Sequence, residues 1–168
     1  MDYTWGIMEY DFGAGANYPR VSPAALLLGQ SAPLDPGPGD QLTLNLTGRY
    51  QPTSSLQTQL DYTKRRMVRN DSHLVAFDEN IFSSRTTYQF TRNTFARLRL
   101  DYSTISQRFR PQFVVGWTPS PGTAVYAGYN DDLNYNGYNP YNHRFEPGLH
   151  GNGRTFFIKA AYLFRKSF

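Results

Sequence analysis

Residues 154–165 read RTFFIKAAYLFR, and alternate positions of this stretch differ in chemistry. One set of alternate residues is wholly apolar, whereas the other set carries the two cations Lys159 and Arg165. The apolar set consists of Phe156, Ile158, Ala160, Tyr162 and Phe164. Because a β-strand shows alternate residues to opposite faces, the stretch predicts an amphipathic strand. Its apolar face would lie on a protein core in a soluble sheet, or on lipid in a membrane barrel.

The aromatic end of this strand, with Phe168 as the last residue, resembles the C-terminal signal of bacterial outer-membrane barrels. The resemblance implies a membrane-insertion signal that consists of Phe156, Ile158, Tyr162, Phe164 and Phe168.

The composition is polar on average but rich in aromatic residues. Hydrophobic residues make up 39% of the 168-residue chain, below the roughly 45–50% of an ordinary soluble domain. Tyr (13) and Phe (12) are nevertheless abundant. This combination is typical of a transmembrane barrel, in which polar side chains line the interior and apolar ones face lipid. The length suits one domain, 1–168.

Several other classes of protein find no support in the sequence. The chain has no Cys, which excludes disulfides and thiolate metal sites. No apolar run reaches the roughly 18 residues of a transmembrane helix. The first residues, MDYTWG, do not look like a signal peptide, so an exported protein would be a mature form or the end of a longer chain. The net charge of +4 is scattered, and no nucleic-acid partner is expected.

The period-two alternation recurs along the chain and predicts eight strands. They are expected at about 2–12, 41–50, 55–66, 81–91, 94–104, 112–118, 123–130 and 154–165. The connections between them run long, short, long, short, medium, short, long. Short turns that alternate with longer loops are the pattern of outer-membrane barrels. The predicted fold is therefore an all-β, antiparallel transmembrane β-barrel of outer-membrane type with long external loops and short periplasmic turns.

The first connection, 13–40, is long and dense in Pro and Gly. Residues 32–39 cannot be interior strand, because Pro lacks the donor that a ladder needs. Residues 24–28 could form one helical turn, with Ser22 as N-cap and Pro23 at the first helical position. A loop of this length is expected to be functional or held down by other parts of the molecule.

The second face of each strand carries polar and charged side chains. Charged groups at alternate positions, such as Arg97, Arg99 and Asp101, fit a hydrated lumen better than a dry core. In a soluble sheet they would form the solvent face. The predicted lumen residues are Asn45, Arg49, Gln57, Gln59, Asp61, Arg97, Arg99, Asp101 and Lys159.

Two stretches resemble an uncharacterised bacterial family. The first stretch combines 18–25 (YPRVSPAA) with the nearby 31–37 (SAPLDPG), and the second is the ending 154–165. Members of that family are large outer-membrane proteins with a carbohydrate-binding family 9-like module in front of a barrel domain of unknown function. The resemblance covers this chain as the C-terminal part of such a protein, without the front module and any earlier strands. It implies no catalytic residues.

The last loop, 131–153, holds the candidate ligand-binding residues. Its aromatic and imidazole groups could stack on a glycan or contact a partner protein; they are Tyr135, Tyr138, Tyr141 and His143. Asp132, Asn134 and Asn136 match the opening of a calcium loop, but the closing Glu is missing because His143 occupies its place. Calcium is therefore only a weak candidate, and otherwise no cofactor is expected. His73, His143 and His150 show no metal-ligand spacing.

No Gly-x-Ser-x-Gly elbow occurs, and an enzyme is not expected. The sequence predicts a barrel in the bacterial outer membrane that anchors and displays its external loops. Its partners would be the lipid bilayer and the barrel-assembly machinery. One alternative is part of a larger or oligomeric barrel that forms a channel for small solutes. Another is a soluble barrel that binds a small ligand.

Overall fold

The computed structural model describes residues 1–15, 17–135, 138–139 and 144–163, and within them the fold is almost entirely β. The strands are β1 (Asp2–Glu9), β2 (Gly37–Thr53), β3 (Leu56–Arg69), β4 (Val75–Thr91), β5 (Thr94–Ser103), β6 (Arg108–Ser120), β7 (Thr123–Tyr135), β8 (Tyr138–Asn139), β9 (Arg144–Phe145) and β10 (Leu149–Tyr162). The described helix is α1 (Pro23–Leu28). Eight strands form one antiparallel sheet in the order β1-β2-β3-β4-β5-β6-β7-β10, and β8 pairs with β9. The all-β prediction and the eight long strands are confirmed.

The prediction of a closed barrel is not confirmed, because the sheet is open. Within the described chain, β1 and β10 are its two outer strands and do not pair with each other. The strands differ in length, since β1 has 8 residues and β10 has 14. The ladder of β1 also shifts register between Thr4 and Ile7, where Gly6 has a φ of 70°. A short, irregular outer strand is a poor template for a long one.

Two compact units can be distinguished along the chain. The first contains Met1–Leu46, Tyr62–Ile81 and Ser103–Ser106, and the second contains Thr47–Asp61, Phe82–Tyr102 and Gln107–Phe168. Strands β2, β3, β4 and β5 contribute residues to both units. The expectation of a single domain stays a prediction.

The connections alternate in length as predicted. Residues 54–55, 92–93 and 121–122 are two-residue turns, whereas 10–36 and 136–148 are long. The connection 70–74 is shorter than expected. In the turn at 92–93, the Thr91 hydroxyl accepts a hydrogen bond from the Asn93 backbone N–H at 3.2 Å. In the turn at 121–122, Gly122 takes a positive φ of 87°.

Most strands extend beyond their predicted ends. Strands β3 and β4 reach into residues 67–80, which lie between the predicted strands 55–66 and 81–91. Cross-strand ion pairs accompany this extension, with Lys64 Nζ 3.0 Å from Asp78 Oδ1 and Arg65 Nη1 3.7 Å from Glu79 Oε2. Because the paired side chains are charged, these residues show no apolar alternation from which the longer strands could have been predicted.

The expectation that residues 32–39 are not strand is wrong for the last three of them. Strand β2 begins at Gly37, and Pro38 lies opposite Met8 of β1 near the end of the ladder. The Pro38 carbonyl accepts a hydrogen bond from Asn70 N at 3.0 Å. A residue without an N–H is tolerated there because few ladder bonds remain beyond it.

The helical turn predicted at 24–28 is confirmed as α1. Ser22 is the N-cap, and its hydroxyl oxygen accepts a hydrogen bond from Ala25 N at 3.1 Å. Pro23 stands in the first turn, where a missing N–H leaves no bond unmade. The Gly29 N–H donates to the carbonyl of Ala25 and ends the helix.

Aromatic rings pack onto glycines in the second unit. A Cβ on Gly128 would overlap the Phe157 ring and lie 3.1 Å from the carbonyl oxygen of Phe113. Likewise, a Cβ on Gly116 would overlap the ring of Phe95. These glycines therefore make room for rings on the face that the sequence predicted to be polar.

We expect Gly128→Ala to lower the free energy of unfolding by about 1–3 kcal/mol, the usual cost of overpacking. Gly48→Ala is the matched control, since nothing lies within 4 Å of a Cβ there. Denaturant titration followed by circular dichroism measures both variants. Equal midpoints for the two variants would contradict the packing described.

Candidate functional site: the polar face of the sheet and a buried ion network

Asp61 is the centre of a polar cluster in the second unit. The Thr47 hydroxyl donates to Asp61 Oδ1 at 2.8 Å, and the Gln59 amide donates to Oδ2 at 3.0 Å. The positive charges of Arg85 and Arg49 lie within electrostatic range of the same carboxylate. The structure thus brings together three of the predicted lumen residues, Arg49, Gln59 and Asp61.

A second group of predicted lumen residues lies on β5. Arg99 Nε is 2.8 Å from Asp101 Oδ2, and the Ser83 hydroxyl donates to Asp101 Oδ1 at 2.6 Å. Arg97 has a different environment, because its Nε donates to the Thr87 hydroxyl oxygen at 3.4 Å. Arg99 is therefore paired with a carboxylate, whereas Arg97 is hydrogen-bonded to a neutral side chain.

The remaining predicted lumen residues are more dispersed. Asn45, in the first unit, accepts a hydrogen bond from the Thr63 hydroxyl at 3.0 Å. Lys159 lies opposite Tyr126 of the neighbouring strand β7. Gln57 lies on β3. They mark a polar face rather than one site.

Sequence reasoning omitted two residues from the site that the structure includes. Arg85 and Gln112 line a cleft of about 260 Å³ together with Arg97, Arg99 and Val114. The available signal was the alternation on β4, where Arg85 shares a face with Thr87. Gln112 gave no comparable signal, since it stands at the edge of an apolar run.

The opposite face of β6, β7 and β10 is apolar, and its side chains are exposed or half-buried. Residues paired in register form three rows across these strands: Phe113, Tyr129 and Phe156; Val115, Ala127 and Ile158; Trp117, Val125 and Ala160. The rings of Tyr129 and Phe156 lie 4.7 Å apart between centroids. Phe156 is 78% exposed and Ile158 is 83% exposed. Of the predicted insertion signal, Phe156, Ile158 and Tyr162 are exposed strand residues, whereas Phe164 and Phe168 lie outside the described residues.

Little hydrophobic surface is buried in the part of the chain that the structure describes. The buried hydrophobic residues are Ala25, Ala32, Met67 and Ala76, and all four belong to the first unit. No described helix is long and apolar enough to cross a membrane.

The candidate loop residues are only partly described. Tyr135 is the last residue of β7 and is half exposed, and Tyr138 begins β8, whereas Tyr141, His143 and Asn136 lie outside the described residues. Glycan or partner binding by this loop stays a prediction.

The calcium candidates Asp132 and Asn134 lie in the extended strand β7 instead of a loop. Arg110 Nε is 3.5 Å and Arg108 Nη2 is 3.9 Å from the Asp132 carboxylate. No group of three or more His, Cys, Asp or Glu residues in the described ranges could hold a metal ion. Of the histidines, His73 lies in the connection 70–74, and His150 Nδ1 is 3.5 Å from Glu146 Oε2.

Arg69 is the centre of a buried ion network in the first unit. Its side chain is fully buried, at 0% exposure. The guanidinium donates to both carboxylate oxygens of Asp71 (2.9 and 2.5 Å), to Glu9 Oε2 (2.6 Å) and to the carbonyl of Asp35 (2.9 Å). A Cβ on Gly37 would overlap this guanidinium, which explains a glycine at that position.

Arg20 and the fully buried Asp11 form the second half of this network. Arg20 donates from Nε and Nη2 to Asp11 Oδ2, at 3.1 and 2.5 Å. Its other N–H groups donate to the carbonyls of Gln30, Ala32 and Pro33, between 2.6 and 2.8 Å. All five N–H groups of the guanidinium are therefore used. The network fixes much of the long connection 10–36, which the sequence predicted to be functional or held down.

The carboxyl pKa values of Asp11 and Asp71 lie below the ordinary value of 3.8. For Asp11, burial alone would raise the pKa, but the hydrogen bonds from Arg20, Ser22 and the Asp35 amide outweigh it. For Asp71, the hydrogen bonds from Arg69 are the largest cause of the lowered pKa.

Replacing Arg69 by Met should destabilise the first unit by about 3–5 kcal/mol, because it leaves the carboxylates of Glu9 and Asp71 without their partner. Arg66→Gln is the control, since Arg66 is half exposed and 4.0 Å from Asp78; it should cost at most about 1 kcal/mol. Amide hydrogen exchange of residues 10–36 measures the difference. Unchanged protection in Arg69→Met would refute a structural role for the network.

The same segment should lose protection in acid. Since both carboxyl pKa values are lowered by folding, their stabilisation is complete above about pH 4 and is lost as the pH falls below it. Exchange of residues 10–36 at pH 6 and pH 3, corrected for intrinsic rates, tests this. In the variant Asp11→Asn, the asparagine tolerates the φ of 63° at this position and cannot ionise. Protection of residues 10–36 in this variant should therefore change less between the two pH values. An equal loss in both proteins would show that Asp11 is not the acid-sensitive group.

Comparison of the chain with protein-family models, with curated proteins and with solved structures gave no match in any of the three.

Proposed function

We propose that this chain is a transmembrane β-sheet of outer-membrane type that forms one wall of a larger barrel. Its apolar face contacts lipid, and its polar face lines the interior. The observation that carries the proposal is the set of exposed apolar rows on β6, β7 and β10, since soluble proteins rarely expose contiguous apolar patches of this kind.

The arrangement of aromatic residues supports lipid contact. Phe113, Tyr129 and Phe156 form the first of the three rows. Trp117 belongs to the last row, and Tyr162 lies two residues beyond that row on β10. From Phe156 to Tyr162 the strand advances about 20 Å. An outer-membrane barrel has an apolar band about 25 Å tall, flanked by aromatic girdles at both interfaces.

The open edges of the sheet support a larger barrel over one closed by this chain alone. Strand edges carry unpaired N–H and C=O groups, each of which costs several kcal/mol in hydrocarbon. The described β1 and β10 have no partner on their outer sides within the sheet. Further strands, from a longer protein or from other copies, would complete the ladder.

A second candidate function is the display of external loops. It is supported by the two-residue turns at 54–55, 92–93 and 121–122, which alternate with longer connections. In this proposal the bacterial outer membrane anchors the chain after insertion by the barrel-assembly machinery, and residues 131–153 contact a glycan or protein. Steady conductance in planar bilayers would favour the channel wall. Loop-dependent ligand binding without conductance would favour display.

Leu60→Lys and Gln59→Lys place the same charge on opposite faces of β3. Leu60 is 55% exposed, so in water the lysine should be tolerated, whereas against lipid it should cost about 2–4 kcal/mol near the midplane. Gln59→Lys should have little effect, because the new charge joins Asp61 on the polar face. Urea titrations of the chain folded into phospholipid vesicles measure both free energies.

The proposal fails if the two lysine variants are equally stable in vesicles, or if the chain folds without detergent or lipid. The second outcome would favour the soluble barrel for a small ligand.

A further inference from the structure

A cleft lined mostly by cationic side chains lies on the polar face of the second unit. Its lining consists of Arg85 on β4, Arg97 and Arg99 on β5, and Gln112 and Val114 on β6. These strands are neighbours in the sheet, so the side chains come from three adjacent backbones. The lining contains three guanidinium groups and no carboxylate.

The charges around the cleft are only partly balanced. Arg99 is paired with Asp101, and Asp61 lies within electrostatic range of Arg85. Neither Arg85 nor Arg97 forms an ion pair with a described carboxylate. The cleft therefore retains positive charge, and a concave surface lined by one sign of charge concentrates ions of the opposite sign.

Arg97 is held in place without being neutralised. Its Nε donates to the Thr87 hydroxyl, and its guanidinium lies 5.5 Å from the centroid of the Phe95 ring. Neither contact supplies a negative charge or uses the Nη groups. The terminal nitrogens of Arg97 thus have donors available for another group, in the planar fork that suits phosphate and carboxylate oxygens.

The size of the cleft restricts the ligand. Its volume of about 260 Å³ lies below the roughly 300–1,000 Å³ of pockets for drug-sized molecules. Gln112 adds an amide that can donate to or accept from a polar ligand. A small, multiply charged oxyanion fits these donors better than an extended or neutral molecule.

We infer that the cleft formed by Arg85, Arg97, Arg99 and Gln112 is a binding site for a phosphate-class oxyanion. Arg85 and Arg97 supply the unbalanced charge, and Arg99 contributes while it remains paired with Asp101. This inference goes beyond the proposed function, because it assigns a ligand class to the polar face. The ligand phosphate can be free in solution or carried by a lipid headgroup.

Inorganic phosphate titrated into the full chain in uncharged detergent micelles tests the site by equilibrium dialysis. Saturable binding is expected, and the double variant Arg85→Gln/Arg97→Gln should weaken it about tenfold or more, since each charge-assisted bond contributes substantially. Arg92→Gln, in the turn at 92–93, is the matched control and should bind as the unmodified chain does. Arg97→Lys keeps the charge but loses the fork, so its affinity should be intermediate. Circular dichroism of each variant verifies that the sheet is retained.

The inference is overturned if the unmodified chain shows no saturable phosphate binding or if the double variant binds phosphate equally well. It is also overturned if, in competition experiments, chloride displaces phosphate as effectively as sulfate does. Adding an anionic phospholipid to the micelles distinguishes a lipid headgroup from free phosphate as the ligand. Displacement of the bound phosphate by the lipid indicates a headgroup site, and no displacement indicates a site for free phosphate. The lysine variants at 59 and 60 report lipid contact instead, so failure of the phosphate site and failure of the membrane proposal are distinguishable.

Discussion

Burial of apolar side chains is the constraint on which this structure depends, and the chain does not meet it with its own described residues. The hydrophobic effect favours removing rows such as Val115, Ala127 and Ile158 from water, yet Ile158 is 83% exposed. The backbone hydrogen bonds and cross-strand contacts hold the strands together in the sheet, but they leave this apolar face uncovered. Hydrocarbon in contact with the apolar face would supply the missing burial, and that is the reason for the membrane proposal.

The buried ions of the first unit address a different problem, which is how to order a long connection whose buried apolar residues, among those described, are Ala25 and Ala32. Arg20 and Arg69 bind several backbone carbonyls of residues 30–35 while they pair with Asp11, Glu9 and Asp71. A guanidinium offers five donors in a rigid plane, so one side chain can fix several turns of backbone at once. Such a network is costly to leave incomplete, because the side chains of Arg69 and Asp11 are fully buried.

Period-two alternation predicted much of this fold, and its failures have physical causes. Leu42, Leu44 and Leu46 alternate with polar residues and identified β2, and Ser22 with Pro23 identified α1. The strand ends at 67–69 and 75–80 were missed because charged pairs accompany that extension. The roles of Arg20 and Arg69 could not be predicted, since most of their partners are backbone carbonyls or, as for Arg69 with Glu9, a carboxylate far away in the sequence. The open edges were missed because alternation carries no information on which strands pair.

The most direct test compares the two neighbouring residues Ile158 and Lys159 of β10. Each is replaced by Cys, labelled with an environment-sensitive fluorophore, and the chain is folded into vesicles that contain nitroxide-labelled phospholipid. Because adjacent strand residues point to opposite faces, the label at 158 should be strongly quenched and the label at 159 weakly quenched. Equal quenching at both positions, or none at 158, would contradict contact between the apolar face and lipid.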